Sequence, residues 1–118
     1  MIHAIIIDDE PNAVGLLNLR LAQCCPQVEV VAACTNSQKG VQAILDHRPD
    51  LVFLDIEMPQ MNGFDVLQAV AGVSFSLVFV TAYDKFALKV FRYSAVDYLL
   101  KPIDTQELVQ AVERVEKS

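Results

Sequence analysis

Residues Leu51–Gly63 read LVFLDIEMPQMNG. The first four are apolar without exception. A strand with one wet face alternates apolar and polar residues, so an unbroken run of this length reads as a strand covered on both faces, and therefore as a central one. Asp55 follows it directly. Pro59, Asn62 and Gly63 then mark a turn across Met58–Gly63, ahead of a helix expected over about Gly63–Val70.

Outward from this unit the same alternation recurs. Ile2–Ile7 reads as a buried strand. A helix is expected from about Pro11 to Cys24, with Val14, Leu17 and Leu21 on one stripe and Pro11 suited to its first turn. Val28–Cys34 reads as a second strand, and Glu29 within it suggests a sheet edge. Ser37 is placed to cap a helix running to about Arg48, with Val41, Ile44, Leu45 and Arg48 at helical spacing. Ser76–Val80 and Ala95–Leu99 read as strands four and five. Helix four is expected over about Asp84–Arg92. Helix five begins at an Asp104 cap, with Glu107 three residues on as in a capping box, and carries Leu108, Val112 and Val115. Five strand–helix units with short connections imply an α/β fold: one doubly wound parallel sheet with helices on both faces. They are too few for an eight-stranded barrel.

The composition agrees. With 118 residues, 53% hydrophobic and 20% charged, residues 1–118 read as one domain that buries a core without staples. The apolar runs are strand-length, so no membrane span is expected. Fifteen acidic residues against nine basic ones leave a net charge of -6 and a pI near 4.7, which argues against direct, phosphate-driven nucleic-acid binding. Cys24, Cys25 and Cys34 form no disulfide framework and read as small apolar residues of a reducing compartment. The opening MIHAIIIDDE lacks the form of a signal peptide, so a cytoplasmic location is expected.

The polar residues that follow the strands carry the chemistry. Asp8 and Asp9 follow strand one, Asp55 strand three, Thr81 strand four and Lys101 strand five. In an open parallel sheet the carboxyl ends of the strands share one edge, and ligands bind there. Three carboxylates gathered in that crevice repel one another and need a cation or a raised pKa. Oxygen donors without His or Cys favour a hard ion, Mg²⁺ before Ca²⁺. A lysine and a hydroxyl beside the ion suit a dianionic phosphoryl group, and Asp55 on the central strand is the natural nucleophile. These residues thus spell a Mg²⁺-dependent aspartyl-phosphate site. His3 and His47 lack a metal-spaced partner and read as structural or surface residues. Met58 and Met61 read as loop packing.

The segments IIIDDE, LVFLDIEMPQMNG, VFVTAYD and YLLKPID, in this order and spacing, resemble the signature segments of the response-regulator receiver domain of two-component signalling. The resemblance covers essentially the whole chain. It implies the flavodoxin-like (βα)5 fold with strand order 2-1-3-4-5. It also implies Asp55 as phosphoacceptor, Asp9 as the directly coordinating acid and Asp8 reaching the metal mainly through water. The backbone carbonyl of Glu57 resembles the third protein ligand. Lys101 resembles the lysine that contacts the phosphoryl oxygens, joined to Pro102 by a cis peptide. Thr81 and Tyr98 resemble the switch hydroxyl and switch aromatic. The implied partner is a sensor histidine kinase, with a phosphohistidine as donor and no catalytic turnover of an external substrate. TAYDKFALKVFRYSAVDYLLKPID is most similar to receivers attached to LytTR-type DNA-binding domains, which would make any DNA contact the work of an output domain outside this chain. A stand-alone phosphorelay shuttle is the other form such a chain takes. The rival reading is a Mg²⁺-dependent phosphohydrolase of the haloacid-dehalogenase type. That class has an Asp two residues past the nucleophile, where this chain has Glu57, and a cap domain for which there is no room.

Helix four adds a surface. At roughly 100° per residue, Lys85, Lys89 and Arg92 share one stripe, while Phe86, Ala87, Leu88, Val90, Phe91 and Tyr93 spread over roughly 220°, more than a core needs. Apolar surface in excess of the core suggests a partner face. Asp97, Asp104 and Glu107 could then supply opposite charges across a two-fold axis, so a homodimer on phosphorylation is expected.

Overall fold

The computed structural model describes residues 1–118, the side chains of Ala87, Leu88 and Phe91 apart. The chain runs β1 (Ile2–Ile7), α1 (Pro11–Cys24), β2 (Val28–Cys34), α2 (Ser37–His47), β3 (Leu51–Leu54), α3 (Gly63–Ala69), β4 (Ser76–Thr81), α4 (Ala87–Val90), a 3₁₀ turn (Phe91–Tyr93), β5 (Asp97–Leu100) and α5 (Thr105–Lys117). All four strand pairings are parallel, and the sheet order is β2-β1-β3-β4-β5. The doubly wound fold expected from the sequence is the one observed, with β3 central and the strand carrying exposed Glu29 at an edge.

The pleat sorts the three inner strands residue by residue. Ala4 and Ile6, Leu51 and Phe53, and Val78 and Val80 point to one face, where α1 (Val14, Leu17, Leu21) and α5 (Leu108, Ala111, Val112, Val115) cover them. Ile5 and Ile7, Val52 and Leu54, and Leu77 and Phe79 point to the other face, under Ile44 of α2, Phe64 and Val66 of α3, and Val90 of α4. Two cores back to back leave the buried stretches of these strands, Ala4–Ile7, Leu51–Leu54 and Leu77–Val80, no polar position, so side chains with chemistry collect at the strand ends.

Several local readings change. Asn36, not Ser37, caps α2: its side chain accepts the Lys39 N–H at 3.1 Å. Ser37 is buried, and its hydroxyl donates to the Met61 carbonyl at 2.9 Å, tying α2 to the loop after β3. The capping box forms at α3 instead, between Asn62 and Asp65. Asp104 does cap α5, accepting the Glu107 N–H at 3.0 Å. Helix four shrinks from the expected nine residues to Ala87–Val90. Of its apolar residues, Val90 is buried, and Phe86 and Tyr93 are half-buried with ring centroids 5.9 and 5.0 Å from Phe64. The described part of this segment therefore turns inward; Ala87, Leu88 and Phe91, on which the expected excess also rested, lie outside the described side chains. An aromatic pocket around Phe64 decides the shape here, not helical periodicity.

Gly63 holds the functional loop close to the sheet. Its N–H donates to the Ile56 carbonyl at 2.7 Å, and a Cβ there would sit 2.5 Å from the Asp55 carbonyl oxygen and 3.1 Å from the Ile56 Cα. Backbone cannot yield as a side-chain tip can. Gly63→Ala is expected to cost about 3 kcal/mol by urea denaturation. Gly40→Ala meets only Ile7 side-chain atoms, at 2.7–3.0 Å, and regains helix propensity of about 1 kcal/mol, so it is the milder change. Equal losses for the two would refute this account of Gly63.

Candidate functional site

Three strand ends deliver the site. The Asp8 N–H donates to the Cys34 carbonyl at 3.0 Å and the Asp55 N–H to the Ile7 carbonyl at 2.9 Å, so the ladder continues one residue past β1 and β3 and holds both aspartates at the sheet edge. The Lys101 N–H donates to the Thr81 carbonyl at 2.8 Å, fixing the end of β5 beside β4. The Lys101–Pro102 peptide is cis.

Asp8, Asp9, Glu10 and Asp55 each place a carboxylate oxygen within 4.8 Å of the others. Asp8 and Asp55 are buried, 4% and 5% exposed, Asp9 is half-buried and Glu10 is exposed. The Lys101 ammonium stands against this cluster, 2.7 Å from Asp8 Oδ2 and 3.4 Å from both Asp55 Oδ2 and Glu10 Oε1. Asp55 Oδ1 accepts the Ile56 N–H at 2.8 Å, and Asp8 Oδ1 accepts the Glu10 N–H at 3.0 Å. Burial first, and then the charge of Asp8, push the Asp55 carboxyl up to about 6, against the pull of Lys101 and the Ile56 N–H. Burial pulls the Lys101 ammonium down, but its hydrogen bond to Asp8 and the charge of Asp55 outweigh that, and its pKa is raised. One ammonium does not balance four carboxylates. The all-oxygen donor set and this excess of negative charge form a clustered acidic pocket of the kind that binds Mg²⁺.

Glu10 escaped the sequence reading. Its signal was present in the contiguous acids of IIIDDE, but a third acid past the strand reads as solvated until the turn is seen to fold it back toward Lys101. Thr81 is fully buried at the end of β4, and its hydroxyl accepts the Tyr83 N–H at 3.3 Å; among the described residues it makes no hydrogen bond to the carboxylates. The Tyr98 ring packs 6.4 Å from Phe79, and its hydroxyl donates to the Tyr83 carbonyl. Burial raises the pKa of that phenol. Tyr83 thus links Thr81 and Tyr98 through its two backbone groups.

The Glu57 carboxylate lies outside the acidic cluster and pairs with Lys85 at 3.0 Å. The Lys89 ammonium lies 4.3 Å over the Phe64 ring. Asp97 pairs with Arg114 of α5 in the same chain, and Arg92 and Glu107 are exposed. His3 lies between Glu29 and Asp50, 3.5 Å from each, at the opposite end of the sheet. Met58 is buried and Met61 half-buried in the core beside α3. No helix among the described residues is long and apolar enough to cross a membrane.

Residues 4–113 match the family model of the response regulator receiver domain. An uncharacterized response regulatory protein of Vibrio cholerae is 41% identical over 116 residues, 97% of this chain and 44% of the relative. The sensory transduction protein LytT of Enterococcus faecalis is 38% identical over 117 residues, 98% of this chain and 48% of the relative. The chain thus spans about half the length of the curated relatives it matches. The crystal structure of the receiver domain of AraT, a response regulator from Geobacillus stearothermophilus, superposes with a TM-score of 0.87 at 29% identity, covering 98% of this chain and 94% of that one. The family match runs from the start of the sheet into its last helix and takes in every residue of the acidic pocket, so the chain belongs to the receiver domains of two-component response regulators, phosphoacceptor signalling modules with a Mg²⁺-binding acidic pocket.

Proposed function

We propose that residues 1–118 form one receiver domain in which Asp55 accepts the phosphoryl group. The observation that carries this is the buried Asp55 carboxylate of the acidic pocket, with one oxygen on the Ile56 N–H and the other facing Lys101. In this reading Asp9 is a direct Mg²⁺ ligand, Asp8 reaches the ion mainly through water, and the Glu57 carbonyl completes the protein's share. The ion, when bound, neutralises charge on the phosphoryl oxygens. Lys101 holds one of those oxygens, and its second contact, on Asp8, keeps the ammonium in place before the group arrives. Buried Thr81 takes another oxygen once its hydroxyl leaves the Tyr83 N–H, and Tyr98 then exchanges its bond to the Tyr83 carbonyl for the space Thr81 leaves.

Family membership implies a histidine kinase as phosphoryl donor. Relatives about twice as long, one of them named LytT, support a LytTR-type output domain that would carry DNA binding and transcription control, and a cytoplasmic location goes with that reading. Labelling with radioactive acetyl phosphate tests the central claim: about one phosphoryl per chain, acid-stable and hydroxylamine-labile, without sustained turnover. Continuous release of phosphate from a panel of phosphate esters would favour a hydrolase.

We further propose that phosphorylation changes self-association through the α4–β5–α5 face, where Lys85, Lys89, Arg92, Asp97, Asp104 and Glu107 stand. Asp97 is already engaged by Arg114, so dimerisation requires that pair to open or be shared. Couplings of this kind are about 1–3 kcal/mol, which moves a monomer–dimer midpoint by about 5- to 150-fold. Sedimentation with beryllofluoride, a phosphoryl mimic, is expected to show dimer where the bare domain is monomeric. An unchanged distribution up to millimolar chain would remove the switch from this face.

A further inference from the structure

Ser37 is a buried polar residue that the proposed phosphoryl chemistry does not use, 5% exposed in the first turn of α2. A buried hydroxyl is costly unless it finds a partner. Its one proton goes to the Met61 carbonyl at 2.9 Å, and the Pro59 carbonyl stands 3.4 Å away, so both contacts fall on the loop between β3 and α3. That loop has few other moorings. The Met61 N–H turns back to the Pro59 carbonyl at 2.8 Å, the Gly63 N–H to the Ile56 carbonyl at 2.7 Å, and Asn62 is engaged with Asp65 of α3. Among the described residues, only Ser37, by hydrogen bond, and Lys85, by its ion pair with Glu57, reach residues 56–62 from beyond the β3–α3 connection and α3 itself. Between Pro59 and Met61, Gln60 has a φ of 71°, a conformation that a residue with a side chain keeps only where its neighbours hold it. Ser37, Pro59 and Gln60 also border one cavity of about 200 Å³ whose wall includes Asp9. We propose that Ser37 is a positioning residue for Mg²⁺: by fastening this loop to α2, it fixes the backbone that offers the Glu57 carbonyl to the ion held by Asp9.

The inference rests on the reading of the Glu57 carbonyl as a protein ligand and concerns what keeps that ligand in place. Mg²⁺ tolerates little distortion of its octahedral shell. A metal-free loop released from Ser37 samples other shapes, and the ion binds only the fraction that presents the carbonyl. The apparent affinity falls by that fraction. The net weight of one hydrogen bond sets the scale at about five-fold. Once the ion saturates, it holds the loop itself, so the loss is one of affinity and not of capacity.

The test is Mg²⁺ titration of the metal-free chain, followed by the backbone amide resonances. Ser37→Ala is expected to weaken Mg²⁺ about five-fold and to shift or broaden the Met61 amide in EDTA, with the parent line recovered as Mg²⁺ saturates. Labelling by acetyl phosphate is expected to fall at limiting Mg²⁺ and to match the parent at saturation. Ile44→Val, two turns further along α2 and fully buried, is the control: it lowers the thermal midpoint but leaves the Mg²⁺ affinity unchanged. A Ser37→Ala chain with the parent's affinity overturns the proposal. So does an Ile44→Val chain that loses as much affinity, since any loosening of α2 would then act alike. A parent chain in which Mg²⁺ leaves the Met58 amide, the next group after the Glu57 carbonyl, unmoved overturns the reading of that carbonyl as a ligand, a distinct result.

Discussion

Asp55→Asn is expected to abolish phosphoryl labelling while leaving a folded domain. The carboxylate is the nucleophile in the proposed step, and an amide oxygen carries no charge with which to attack phosphorus. The loss is therefore complete, not partial. The geometry explains why the fold survives. Asparagine keeps an oxygen to accept the Ile56 N–H, now 2.8 Å from Asp55 Oδ1. Lys101 is not orphaned, because its shorter contact is the 2.7 Å pair with Asp8. The substitution also removes one of four carboxylates crowded within 4.8 Å, so without a divalent ion the variant is expected to be more stable than the parent at neutral pH. Intact mass after incubation with acetyl phosphate, together with thermal melting, checks both halves. Stoichiometric label on another residue of the variant would move the phosphoacceptor elsewhere; a variant that does not fold would contradict the electrostatic account.

The second large effect is that of Mg²⁺. Chelation is expected to bring labelling to background, and stability is expected to depend on pH in opposite senses with and without the ion. The Asp55 carboxyl, near 3.8 as a free group, is raised to about 6 in the folded domain by burial and by Asp8. A raised carboxyl means that the folded chain binds its proton more tightly than the unfolded one. Without metal, the burden of burying the charge is thus absent below about pH 4, grows as pH rises through the interval to 6, and is full above it. The full shift would correspond to about 3 kcal/mol; screening at the open mouth of the site reduces that to about 1–2 kcal/mol. Mg²⁺ binds the ionised pocket and not the unfolded chain, so it offsets the burden most above pH 6. Urea denaturation between pH 4 and 8, in EDTA and in Mg²⁺, reads this directly. A metal-free stability that does not fall between pH 4 and 6 would contradict the Asp55 environment described here. Within the pocket, Asp9→Ala is expected to weaken Mg²⁺ more than Asp8→Ala, and equal losses by NMR titration would erase the distinction between direct and water-mediated roles.

How far such residues could be read without coordinates depended on the range of the forces that place them. Strand β3 was legible because burial on both faces leaves no polar option, and LVFL states this in four letters. The same rule located Asp8, Asp55 and Lys101, since a parallel sheet brings strand ends to one edge whatever the helices do. An edge place for β2 and a central place for β3 follow from the same logic, since β2 carries an exposed Glu29 and β3 carries nothing exposed; the full order 2-1-3-4-5 is implied by the family resemblance, not by the pattern.

Contacts set by side chains from distant segments were not legible. The α4 region reads as a nine-residue helix by periodicity, yet Phe64, from α3, collects Phe86 and Tyr93 around its ring and leaves Ala87–Val90 as the only α-helical turn. Ser37 reads as a cap, but the Met61 carbonyl lies close enough to take its hydroxyl, and Asn36 caps the helix instead. Glu10 joins the pocket, and Glu57 leaves it for Lys85, because of where two loops pass one another. Hydrophobic pattern is local and survives in one dimension. Polar pairing is decided by distances of a few ångströms between segments tens of residues apart, and only the folded chain sets those distances.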